Sequence, residues 1–279
     1  MLRFSFQRQA VAAVVAGFVG ILTLLLAPPR PVSAQTSGGQ LKVVFVPPKS
    51  AFGKSMEKVL NQGGSNSGFA KIVASLNKLF IFPRDLPVIF RECGFVNAFY
   101  SPPQHTITVC YDLMQHFGDL FSKQGKSGTE LGRLVAGATL FTFFHEFGHA
   151  LIGEMGIPAT GKEEDAVDEF STLLLARLGD TGQFAVRSAA YWFALEGQQQ
   201  ARTGRVSDLP FWDEHSLNQQ RFYDVICILY GSSQKRYANL ATAVGIPPTR
   251  AARCVRDYPK ERKAWNALLA PHLKRQFSL

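Results

Sequence analysis

Apolar positions fall into two regimes along the chain. Up to about residue 111 they come in short β-branched or alternating runs: Leu41–Val46, ended by Pro47-Pro48, then Leu86–Arg91, Asn97–Tyr100 and Thr106–Cys110. These predict strands, the last two joined as a hairpin by the Ser101-Pro102-Pro103-Gln104 turn. Gly63–Gly68 predicts a flexible loop. Ile72, Val73, Leu76 and Leu79 give Phe69–Phe80 helical spacing. From Leu131 onward strand signals largely vanish. Leu131–Glu154, Glu163–Leu178, Gln183–Glu196 and Leu217–Tyr230 predict helices, and shorter helical pieces follow Pro247 to the end. Strands first and helices afterwards predict an α+β domain over residues 41–279, with a sheet part at 41–111 and a helical part at 112–279. No internal repeat is present.

The N-terminal stretch obeys neither pattern. Arg3 and Arg8 precede an apolar run from Ala10 to Ala27, then a Pro-rich break and Val32-Ser33-Ala34. This order predicts a secretory signal peptide over residues 1–34, followed by a polar linker over 35–40. The chain is then exported, periplasmic or secreted. If the segment is kept, it anchors the protein in the inner membrane, the one route to membrane contact. Losing Arg3, Arg8 and Arg30 and no acid lowers the formal charge from +9 to +6. The remaining cations are scattered, with no basic stripe interleaved with aromatics, which argues against a nucleic-acid partner.

Four cysteines, Cys93, Cys110, Cys227 and Cys254, suggest two disulfides in an exported protein. Four allow three pairings. Cys93 precedes the hairpin and Cys110 closes it, while Cys227 and Cys254 lie on two C-terminal helices, so Cys93–Cys110 and Cys227–Cys254 are favoured. None lies in a CxxC motif, so a cysteine–zinc site is not expected.

The candidate chemistry lies at the end of the most apolar helix. His145-Glu146-Phe147-Gly148-His149 matches H-E-x-x-H. Side chains four apart share a helix face, so both imidazoles can reach one Zn²⁺, and Glu146 can take a proton from water there. The preceding run, Leu134–Phe144, is apolar nearly all round and so predicts a buried helix. Two histidines and a glutamate at its end are costly unless satisfied, and a metal satisfies them. Gly148 suggests the close approach of another element. Ile152 and Met155 stand where the metzincin pattern needs Gly and His. In Gly161–Phe170, Glu164 and Asp168 are four apart, so Glu164 could bind zinc while Asp168 receives the outer N–H of a ligating histidine. Asp165 and Glu169 form a rival pair, but the face of the first runs beside the apolar stripe Val167, Phe170, Leu174 and Leu178. Glu163 lacks a carboxylate partner at that spacing. His215, Tyr223 and Tyr230 are candidates to steady a tetrahedral oxyanion, and Arg221 to pair with an acid near the site. His105, His116 and His272 read as ordinary surface or turn residues.

With these residues the chain resembles the gluzincin zinc peptidases, which carry H-E-x-x-H followed by E-x-x-x-D. It is more closely similar to a bacterial family known only by the description "putative metallopeptidase". That similarity also rests on Cys93-Gly94, Asn97–Tyr100, Cys110-Tyr111, Gln220–Tyr223, Cys227 and Tyr230-Gly231. The resemblance implies one zinc per chain on His145, His149 and Glu164, Glu146 as general base and Asp168 behind a ligand. It also implies a zincin-like fold in which, by analogy, strand Thr106–Cys110 pairs with an extended peptide or protein substrate. The expected function is an exported zinc metallopeptidase that hydrolyses peptide bonds with metal-activated water. The alternative is an envelope binding or scaffold protein with a structural zinc and no catalysis.

Overall fold

A computed structural model of the chain describes residues 38–202 and 204–279. The expected signal peptide and residues 35–37 of the linker lie outside the described residues. The linker's end is docked: the Gly39 amide donates to the Phe82 carbonyl at 2.9 Å.

Four strands form a mixed sheet: β1 (Leu41–Phe45), β2 (Leu86–Arg91), β3 (Ala98–Ser101) and β4 (Thr106–Cys110). Their order is β1-β2-β4-β3, with β1, β2 and β4 parallel and β3 antiparallel to β4. Leu86, Val88, Phe90, Ile107 and Val109 are fully buried, as expected of strands in the middle of a covered sheet. The expected substrate strand is therefore corrected. Thr106–Cys110 spends both edges on β2 and β3, and the edge strand is β3. A hairpin contributes one edge strand at most once its other arm joins the parallel strands.

Helices α1 (Ala51–Leu60) and α2 (Gly68–Leu79) lie between β1 and β2, and α3 (Tyr111–Ser122) follows β4 directly. Then come α4 (Gly128–Met155), α5 (Glu163–Arg177), α6 (Gly179–Ala201), α7 (Asn218–Ser232), α8 (Gln234–Ala243) and α9 (Pro248–Leu269). The C-terminal region after Pro247 is one helix of 22 residues with Pro259 inside it, rather than short pieces. Pro259 is exposed and removes one backbone donor, a local loss that the helix tolerates. Helix α8 carries too few buried positions to announce itself, burying only Tyr237 and Ala241.

Helix α4 is the central element. Buried residues line every side of it, from Leu131 to Leu151. Its Phe143 meets Phe69 edge-on at 4.8 Å, and Phe69 meets Phe90 of β2 likewise, so an aromatic chain joins α4 to the sheet. Disulfides link Cys93 to Cys110, across the β3–β4 hairpin, and Cys227 to Cys254, between α7 and α9.

Candidate metal centre

The last turns of α4 carry His145, Glu146 and His149, and the first turn of α5 carries Glu164. The two helices meet because Gly148 has no side chain. A Cβ there would stand 2.9 Å from Val167 and 3.2 Å from Phe170. This close approach sets the Glu164 carboxylate against both imidazoles. His145 Nε2 lies 3.0 Å from Glu164 Oε2, and His149 Nε2 lies 3.2 Å from Oε1. The loop before α7 adds a third imidazole: His215 Nε2 is also 3.0 Å from Oε2. His145, Glu164 and His215 form the tightest set, with donor atoms within 4.8 Å of one another. His149 reaches the other carboxylate oxygen.

Each imidazole has a second carboxylate behind it. His145 Nδ1 is 2.8 Å from Asp168 Oδ1, His149 Nδ1 is 2.7 Å from Glu163 Oε1, and His215 Nδ1 is 3.0 Å from Asp213 Oδ1. A neutral imidazole has one donor and one acceptor nitrogen, and a carboxylate only accepts. Without a metal, carboxylates on both sides are satisfied only by an imidazolium. With a metal, Nδ1–H donates outward and the Nε2 lone pair faces the ion. The shifts follow the metal-free pattern. Burial alone would lower His145, but Asp168 and Glu164 raise it to about 9. The same contest raises His149, and His215 is raised chiefly by Glu164. Burial would raise Glu164, yet the three imidazoles hold it far below the ordinary carboxylate range. Glu164 Oε2 is buried, and no described residue makes a hydrogen bond to it despite two nitrogens at 3.0 Å. Three imidazole nitrogens thus crowd one carboxylate, which suits a cation shared among them. The donor set therefore fits a divalent metal that accepts nitrogen and oxygen ligands.

Glu146 is buried, and its Oε2 accepts the Tyr100 amide N–H at 2.8 Å from edge strand β3. Burial pushes its carboxyl up, against the pull of His145 and His149. The Tyr100 hydroxyl donates to Glu154 at 2.7 Å, with its ring over Gly153, where a Cβ would stand 2.9 Å from it. One residue of β3 is thus held by α4 at two points. The site opens into a cleft of about 900 Å³, walled on one side by Ala98–Tyr100 and on the other by Glu214–Asn218.

The other candidates divide between the cleft and more distant places. The Tyr223 hydroxyl bonds the Val244 carbonyl at 3.3 Å, and neither Tyr223 nor Tyr230 lines the cleft. Of the rival pair, Asp165 accepts from Ser216 and Glu169 lies in a separate pocket against α9. His105 is no plain turn residue, since its Nδ1 is 2.6 Å from Glu154. His116 lines the cleft, 2.8 Å from Glu196. Arg221 is buried, makes two bonds to Asp168 at 2.7 and 2.9 Å, and stacks on Phe193. Sequence reasoning missed Glu163, Asp213 and Tyr100. The Asp-x-His spacing at 213–215 was a legible signal. Glu163 was set aside for want of a partner on its own helix, whereas its partner is on α4.

A family model described as "Putative metallopeptidase" matches residues 45–269. No curated protein and no solved structure matches the chain.

Proposed function

The chain belongs to the "Putative metallopeptidase" family, and from that premise we propose that it is an exported, zinc-dependent peptidase of gluzincin type, acting as one domain over residues 41–279. The observation that carries this reading is the convergence of His145 and His149 Nε2 on Glu164, with each Nδ1 held by an outer carboxylate. These three residues would hold the ion. Bound there, zinc would polarise a peptide carbonyl and make water a nucleophile near neutral pH. Glu146 has one oxygen committed to the Tyr100 amide, which aims the other to take a proton from water and return it to the leaving amine. Its raised carboxyl pKa suits a base. The outer edge of β3 would receive an extended peptide through its carbonyls, since the Ala98 and Tyr100 amides are already given to Asn97 and Glu146. Two disulfides fit an oxidising compartment, and no helix among the described residues is long and apolar enough to cross a membrane.

A second reading, a closed metal site without catalysis, is favoured by one observation: His215 gives the site a fourth donor residue. The buried Glu146 beside the metal ligands counts against it, since a closed site needs no base.

Zinc per chain and peptide-library cleavage test the reading. The untagged protein should carry about one zinc and His149→Ala little. Glu146→Gln should keep zinc and lose cleavage by at least a hundredfold. Failure to take up zinc would refute the metal reading. Zinc without cleavage in the unaltered protein would select the closed site.

A further inference from the structure

The geometry points to His215 as a third imidazole ligand of the metal, carried on a loop, whose ring closes the site in the resting protein and gives way to water and substrate. The inference rests on the metal reading above and deepens it.

Three observations carry it. First, it approaches Glu164 as closely as the two helical histidines do, and its donor atom lies within 4.8 Å of those of His145 and Glu164. His215 Nε2 is 3.0 Å from Glu164 Oε2, the same as His145 Nε2 and closer than the 3.2 Å of His149. A group that only steadies an oxyanion must leave room for that oxygen between itself and the ion. Second, its support repeats that of the two helical histidines. Asp213 Oδ1 takes both the His215 backbone N–H at 2.8 Å and Nδ1 at 3.0 Å, which fixes the ring with Nε2 inward. Third, the loop is tied to the helix that supplies Glu164. Lys162 Nζ donates to the carbonyls of Asp213 and His215 at 3.2 and 3.4 Å, and Ser216 Oγ to Asp165 at 3.0 Å.

His215 differs from the other two in ways that make it the displaceable ligand. Its side chain is 39 % exposed, against 7 % for His145 and 14 % for His149. It sits on a loop rather than a helix, and its ring lies 6.2 Å from that of His145, against 4.9 Å for His149.

X-ray absorption of the zinc-loaded full chain tests the ligand set. Three imidazoles are expected in the unaltered protein and two in His215→Phe, with zinc affinity by chelator competition at least tenfold weaker. Two imidazoles in the unaltered protein would overturn the proposal and return His215 to the oxyanion role. That count needs no variant to fold. Three imidazoles in both would also overturn it. Absence of bound zinc in the unaltered chain would instead strike the metal reading beneath it. For the closure, thiocyanate titrated into the cobalt-loaded chain should change its visible spectrum at tenfold lower concentration in His215→Phe than in the unaltered protein. Equal concentrations would show an open site and remove the closing role.

Discussion

Asp168 shows how one residue serves both fold and site. Its carboxylate is buried, receives two bonds from Arg221 and faces Nδ1 of His145. Burial would raise it, but Arg221 first and then His145 bring it well below the ordinary value. Removing one partner of a buried pair leaves the other charge uncompensated, at about 3–5 kcal/mol. In the metal-free protein the raised His145 still faces Asp168, so Arg221→Met is expected to lose the lower end of that range, about 3 kcal/mol, in denaturant unfolding. Arg221→Lys keeps the charge but not the fork of two parallel bonds. It should unfold more easily than the unaltered chain, though less so than Met, and bind zinc about 10–100-fold more weakly by chelator competition. Equal zinc affinity in the Lys variant would detach the pair from the site. The possibility of an acidic partner for Arg221 was visible in the sequence; its burial was not. An arginine before Phe222 and Tyr223 reads equally well as a surface residue until α6 supplies Phe193 beneath it.

At the scale of elements, the site is a contact between α4 and α5, and Gly148 sets its depth. An alanine there would press on Val167 at 2.9 Å and push α5 outward, carrying Glu164 and Asp168 from the histidines. Overpacking of this kind costs about 1–3 kcal/mol. Gly148→Ala should lose that stability and weaken zinc binding. Adding Val167→Gly should recover much of the affinity, because it removes the Cβ and Cγ1 that the new methyl meets at 2.9 Å. Failure of the double variant to recover would show that the methyl is not what moves α5. The role of Gly148 was legible as a conflict: a glycine inside a buried helix loses stability without a packing reason. Which element approaches was not legible. The same limit applied to the strands, whose alternation located all four but could not say that β4 enters the sheet beside β2.

Across the whole molecule, α5 reaches the C-terminal helices through an acidic pocket. Glu169 lies there with Asp224 and Glu261, and Arg250 pairs with Asp224 at 2.8 Å. Burial first, and then repulsion from Glu261, raises Glu169 from 4.5 to about 7, with a bond from Trp265 opposing. The fold therefore holds this proton more tightly than the unfolded chain does. Its stabilising effect is complete below about pH 4.5 and is lost as pH rises through about 7. Glu169→Gln cannot ionise, so its advantage over the unaltered chain should grow between pH 5 and 8, reaching on the order of 1–3 kcal/mol. Chemical unfolding of both chains at each pH checks this, and the difference between them cancels the pH dependence of the metal site. A constant difference would mean that Glu169 ionises as an ordinary carboxyl.

Residues 145–149 and 164–168 were readable as a candidate metal set because their spacing is local: a four-residue step on a helix fixes a shared face whatever surrounds it. The order of strands and helices was readable for the same reason, since alternation and helical period are properties of short windows. Everything that joins distant segments waited for the fold. Glu163 reaches His149 across the α4–α5 turn, Tyr100 reaches Glu146 from another layer, and His215 comes from 51 positions beyond Glu164 to the same oxygen. No periodicity encodes such meetings. They arise where packing brings two surfaces within hydrogen-bond distance, and only the tertiary structure decides which surfaces those are.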